Sequence, residues 1–153
     1  MIRARGRRLP LILAYRLAVT DSATRAFRPG GGEARWNSEG VAIVYTAENP
    51  ALAALEILNA WKRYSELNGY SLYLCRIDAD STVDAVPDLA AQGLDPRDQE
   101  ATRAFGDAWV ESGLSVALRV PSVAAPASYN YLLNPDHPEF PEAVARELLG
   151  SFL

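Results

Sequence analysis

The chain has 153 residues, of which 49% are hydrophobic and 22% charged, a length and composition that suit one globular α+β domain with a single core. One cysteine, Cys75, and one histidine, His137, exclude a disulfide framework and a Cys/His zinc site, so no metal centre is expected, and a reducing, cytoplasmic setting fits best. A net charge of −4 argues against direct nucleic-acid binding, although Arg3, Arg5, Arg7, Arg8, Arg16, Arg25, Arg28 and Arg35 face only Asp21 and Glu33 in the same stretch, a basic pole suited to an anion.

The start, "MIRARGRRLPLILAYRLA", has the basic-then-apolar order of a secretory leader. Its apolar run from Leu9 to Tyr15 is short, contains Pro10 and stops at Arg16, with no small-residue cleavage site after it. Residues 1–8 are therefore read as a basic N-terminal extension to a domain spanning residues 1–153. No segment approaches a membrane span.

Leu11 to Ala18 reads as a strand carrying Arg16. The glycine-rich "FRPGGGEARWNSEG" that follows is neither a phosphate loop nor a dinucleotide fingerprint, since no Gly-Lys-Ser/Thr closes it. It is a loop that delivers Arg35 and Trp36 to the next strand, Val41 to Ala47, where Tyr45 sits. Asn49 as N-cap and Pro50 at the first helical position open a helix expected to reach about Leu67, ended by Asn68-Gly69. Tyr70 to Asp78 alternates as a strand, and "DADSTVDAVPD" reads as turns. A helix from about Arg97 to Ser112 ends at Gly113. "LSVALRVPS" is a strand running into Ser122, and "YNYLLNP" is another, carrying Asn130. Pro141 to Phe152 is expected to be an amphipathic helix. Strands and helices joined by short connections imply an α+β fold.

Within "ALAALEIL" the single carboxylate, Glu56, leans toward apolar neighbours. Periodicity allows two readings: a boundary glutamate paired along its helix, for which Arg63 lies on nearly the same face, or an acid placed for catalysis. Arg16, Arg35, Tyr45 and Ser122 each have an ordinary structural reading as well.

Taken together, "RWNSEGVAIVYTAENPALAALEIL", "GDAWVESGLSVALRVPSV" and "YNYLLNPDHPEF" resemble the RES domain family, named for its arginine, glutamate and serine. The resemblance runs from about Arg16 to Phe140. It implies an ADP-ribosyltransferase-like fold, with mixed and antiparallel strands flanked by helices, and the toxin half of a bacterial type II toxin–antitoxin pair. It also implies consumption of NAD+ as substrate and a cognate antitoxin with a helix-turn-helix domain. In some members the ADP-ribose passes to a protein target instead of water or phosphate. The family's arginine falls on Arg35, with an earlier arginine on Arg16, its tyrosine on Tyr45, its glutamate on Glu56 and its serine on Ser122. Asn130 lies in the matching "YN" segment.

The residue chemistry agrees with that implication. Breaking a glycosidic bond to ribose passes through an oxocarbenium-like state, and glycosidases use two carboxylates because one must protonate the leaving oxygen. Nicotinamide leaves a cationic ring as a neutral molecule and needs no acid, so one carboxylate, Glu56, suffices to stabilise the positive ribose. Guanidinium groups of Arg16 and Arg35 suit a pyrophosphate, and the Tyr45 face suits a cationic ring. Ser122 has two candidate partners, Glu56 or the ribose. His137, between prolines, reads as a loop residue. A protein ADP-ribosyltransferase and a non-catalytic partner-binding module are the alternatives to an NAD+-degrading toxin.

Overall fold

The structure is a computed structural model and describes residues 10–58 and 63–153. In chain order the elements are β1 (Leu11–Ala18), α1 (Ala23–Ala26), β2 (Val44–Ala47), α2 (Pro50–Leu58), a 3-10 turn (Tyr64–Leu67) and β3 (Ser71–Asp78). A second 3-10 turn (Ala79–Ser81) leads to β4 (Thr82–Asp84), α3 (Val86–Ala91) and α4 (Gln99–Ser112). β5 (Ala117–Pro121), β6 (Tyr129–Leu133), α5 (Phe140–Ala143) and β7 (Val144–Ser151) complete the chain. The strands form one mixed sheet in the order β4-β5-β6-β2-β1-β3-β7. All neighbours run antiparallel except β4 and β5, which are parallel and are joined by the crossover through α3 and α4 that a parallel pair requires. The α+β expectation of mixed and antiparallel strands flanked by helices is met.

The sheet has a weak seam. β1 and β3 pair along their whole length, from Leu11↔Asp78 to Ala18↔Ser71, whereas β1 and β2 share only Tyr15↔Ala47. Arg16 spans the opening. Its Nη1 donates to the Tyr45 carbonyl at 2.8 Å and its Nε to the Ala26 carbonyl at 2.5 Å. The first bond satisfies a β2 carbonyl at the seam, and the second satisfies the carbonyl at the end of α1.

Three apolar clusters pack against the sheet. Ala14, Tyr73, Cys75 and Ile77 meet Phe27, Phe140 and Val144 on one face. Trp36, Trp109, Leu118, Val120 and Leu132 lie beside α3 and α4. Leu17, Ala47 and Leu67 are covered by Leu52, Ala53 and Ala54 of α2. α2 starts as its sequence implies, with Asn49 Oδ1 accepting from the Leu52 amide at 2.8 Å. α4 is capped by Asp98 and ends at Gly113, whose φ of 61° is the left-handed stop that glycine adopts without strain.

Four expectations are corrected. The C-terminal segment is not a helix: after the single turn of α5, Val144–Ser151 runs as β7 against β3, from Ile77↔Val144 to Ser71↔Ser151 with an irregularity at Leu72/Tyr73. Leu148 and Leu149 remain exposed, so backbone pairing to an open sheet edge, and not a buried apolar stripe, decides its conformation. The segment read as turns holds β4 and the start of α3, elements too short to show a period. The helix from Pro50 is described only to Leu58; residues 59–62 lie outside the described residues, and Tyr64–Leu67 is a 3-10 turn. β2 begins at Val44, three residues later than expected. The basic extension at residues 1–8 also lies outside the described residues. Among the described residues no helix is long and apolar enough to cross a membrane, and no group of three or more His, Cys, Asp or Glu residues is clustered for a metal.

Candidate active site

Where β1 and β2 part, a cleft of ≈ 260 Å³ opens against α2. Arg16, Arg35, Tyr45, Glu56 and Asn130 all line it, and Ser122 stands between two further lining residues, Pro121 and Val123. Five elements or loops, far apart in sequence, thus converge on one opening: β1, the loop before β2, β2, α2, and the β5–β6 hairpin.

Glu56 is half-buried on the second turn of α2. Its Oε2 accepts the Ser122 hydroxyl at 3.2 Å and the Asn130 amide. Ser122 Oγ itself accepts the Ala124 and Ala125 amides at 3.1 and 3.2 Å, which commits its proton to the carboxylate. Of its two candidate partners, Ser122 bonds Glu56 in this structure. No hydrogen bond is formed to Oε1 among the described residues, and Glu56 enters no ion pair there. Helix-neighbour pairing with Arg63 is absent: among the described residues the carboxylate is held by two neutral donors through one oxygen, with the other unengaged. Asn130 is 8% exposed, and its Oδ1 is buried without a partner among the described residues. A buried acceptor with no donor costs about 1–3 kcal/mol, and this one borders the cleft. Glu48 holds the β6 end in register, accepting the Tyr129 amide at 2.5 Å and donating its own amide to the Tyr129 carbonyl at 3.2 Å.

Arg35 sits on irregular chain between α1 and β2. Its Nη1 donates to the Pro96 carbonyl at 3.1 Å, and neither Arg35 nor Arg16 forms an ion pair among the described residues. Within that set of residues, two uncompensated cations border one carboxylate, a charge arrangement that favours an anion in the cleft. The two arginines differ, because Arg16 spends two of its nitrogens on backbone carbonyls while Arg35 spends one.

Tyr45 presents its ring and its hydroxyl to different surroundings. Its ring lines the cleft, but its hydroxyl donates to Asn37 Oδ1 at 2.6 Å and accepts the Trp36 amide at 3.0 Å. Burial first of all pushes its pKa up to about 12, so the phenol stays neutral and acts as a strut behind Arg35. His137 is a loop residue, as expected: its Nδ1 accepts the Glu139 amide at 3.0 Å, leaving Nε2 to donate to the Gly113 carbonyl at 3.0 Å.

Sequence reasoning missed Asn37, Glu48, Thr102, Gly106 and Asp107 around the site. One signal was available for Gly106: a glycine inside a helix costs roughly 1 kcal/mol relative to alanine, so its presence in α4 asks for a packing reason.

Comparison with known proteins gives the family. The chain is 37% identical over 124 residues to a Sphingobium protein named Prs ADP-ribosylating toxin, covering 74% of this chain and 73% of that protein. It is 32% identical over 131 residues to the protein named Toxin Res of Yersinia enterocolitica, covering 85% and 84% of the two chains. A chain in the crystal structure of the M. tuberculosis MbcT–MbcA toxin–antitoxin complex superposes with a TM-score of 0.69 at 15% identity, covering 92% of this chain and 85% of that one, a likeness of fold. The RES domain matches residues 13–150, and the protein belongs to the RES domain family.

Proposed function

We propose that this protein is the toxin of a bacterial toxin–antitoxin pair and that it consumes NAD+ in the cytoplasm by cleaving the nicotinamide–ribose bond. The observation that carries the reading is Glu56: Oε2 is fastened by Ser122 and Asn130, Oε1 is unengaged among the described residues, and the cleft beside it is bordered by Arg16 and Arg35. The names of the Sphingobium and Yersinia relatives support the toxin assignment, and the former supports NAD+ as the substrate.

In the proposed reaction the C1′–N bond of NAD+ breaks and its electron pair moves to the nicotinamide ring, which departs neutral. The ribose becomes oxocarbenium-like, and the Glu56 carboxylate stabilises it electrostatically. Water or phosphate then bonds to C1′; water gives up a proton to solvent in doing so. Arg35 holds the pyrophosphate, with Arg16 beside it, and the Tyr45 ring flanks the nicotinamide. Asn130 Oδ1 accepts from a ribose hydroxyl or the carboxamide, which would satisfy its orphaned oxygen. A cognate antitoxin with a helix-turn-helix domain is the proposed partner, approaching the basic pole and occluding the cleft.

A second reading, transfer of ADP-ribose to a protein, is favoured by the name of the Sphingobium relative. One experiment tests both. The purified protein, freed of any antitoxin, is incubated with NAD+ labelled in the adenylate, alone and with lysate. Nicotinamide release with free ADP-ribose or its phosphate supports degradation, and a labelled protein band supports transfer. Absence of nicotinamide release in both conditions overturns the NAD+ reading.

A further inference from the structure

We infer that α4 is the template that positions Arg35, with Asp107 and Gly106 as positioning residues for whatever anion Arg35 holds. The inference rests on the NAD+ reading only for its kinetic arm.

Arg35 lies on a stretch with no regular structure beyond the single Ala34↔Asn37 bridge, preceded by Gly30, Gly31 and Gly32. Left to itself, such a segment would spread the guanidinium over many positions, because ordering it costs backbone conformational entropy. The structure ties it down residue by residue to one helix. Glu33 pairs with Arg103 at 3.0 Å. The Arg35 carbonyl accepts Thr102 Oγ1 at 2.5 Å. Ser38 donates its amide to Asp107 Oδ1 at 2.8 Å and its hydroxyl to Oδ2 at 2.5 Å.

Between these contacts Trp36 is buried, its ring edge-on to Phe105 at 6.2 Å. Its backbone occupies the space left by Gly106: a β-carbon there would stand 1.7 Å from the Trp36 carbonyl oxygen. Thr102 and Gly106, like Arg103 and Asp107, are four residues apart and share a helix face. From the other side, Tyr45 braces Trp36 and Asn37. Thr102, Gly106 and Asp107 do not line the cleft. Any effect they have on a ligand must pass through the segment they hold.

A plain structural anchor and a positioning template make different predictions. Asp107→Ala removes both bonds to Ser38 while leaving no clash, which keeps the experiment interpretable if Gly106→Ala fails to fold. The first readout needs no activity: the side-chain Nε–H signal of Arg35 in a ¹⁵N-labelled sample, assigned by its loss in Arg35→Lys. Asp107→Ala should shift or broaden that signal while the Arg16 signal stays in place. The second readout is kinetic. Asp107→Ala should raise KM for NAD+ about tenfold with kcat within about threefold, as expected when a contact made equally in the ground and transition states is weakened. Asp107→Asn, which keeps an acceptor for the Ser38 amide, should recover part of it.

In the Arg35→Ala background Asp107→Ala should add nothing further to KM, because two residues acting through one contact are not additive. An unmoved Arg35 signal overturns the inference, as do KM effects that multiply in the double variant. A parent protein that releases no nicotinamide overturns the NAD+ reading instead, and the Arg35 signal alone then decides whether α4 positions Arg35.

Discussion

Replacing Glu56 by glutamine isolates the charge of one oxygen. The Gln amide oxygen can take the place of Oε2 and accept from Ser122 Oγ and Asn130 Nδ2, the two donors that hold the carboxylate. The amide nitrogen then stands where Oε1 has no partner among the described residues and faces the cleft, so no buried donor is orphaned and the fold is expected to persist. Glu56→Ala, by contrast, would strand both donors at about 1–3 kcal/mol each and confuse folding with chemistry. A carboxylate about 4 Å from a carbon gaining a full positive charge contributes about 4 kcal/mol at an effective dielectric of about 20. That corresponds to ~10³ in rate, at about 1.36 kcal/mol per decade. The transition state carries part of that charge, so kcat should fall by ~10²–10³, the scale seen on removing one preorganised electrostatic stabiliser. Initial rates of nicotinamide release on antitoxin-free protein measure it, with thermal melting as the fold control. Turnover within about threefold of the parent, at an unchanged melting temperature, would refute a catalytic role for Glu56.

Arg35→Ala should raise KM for NAD+ with a smaller fall in kcat, and Arg35→Lys should rescue it only partly because an ammonium lacks the two-pronged contact; binding titrations that show parental NAD+ affinity would move the pyrophosphate assignment to Arg16. Ser122→Ala removes the donor to Glu56 and the acceptor of the Ala124 and Ala125 amides, and should lower kcat by roughly 10–10², less than Glu56→Gln because the charge remains. Burial pushes both Tyr45 and Cys75 up to about 12, above ordinary values of 10.0 and 9.0. The folded state therefore holds these protons longer than the unfolded chain, and stability is full below pH 9 and falls as pH rises toward 12. Denaturant melts across that range should show the fall, and Cys75→Ala should flatten the part that begins near pH 9; an unchanged profile would remove Cys75 as a cause.

The sequence alone was enough to identify what is local. β1, the Asn49–Pro50 start of α2, and α4 with its Gly113 stop are all legible because capping and periodicity act within a few residues. The set of Arg16, Arg35, Tyr45, Glu56, Ser122 and Asn130 came from the resemblance to the RES domain family, because each residue alone has an ordinary structural reading. That these six gather around one cleft depends on strand order and on a seam where β1 and β2 share one pair, and neither is encoded locally. The same holds for the C-terminal segment, whose "VARELLGS" suits a helix until the open edge of β3 offers it a ladder. Only the tertiary structure decided which hydroxyl serves what. Ser122 donates to Glu56 because two backbone amides occupy its acceptor sites, and the Tyr45 hydroxyl is taken up by the Trp36 amide and Asn37 while its ring lines the cleft. Hydrogen-bond partners from distant parts of the chain are settled by the packing that brings them within roughly 3 Å of each other, and no spacing along the sequence contains that distance.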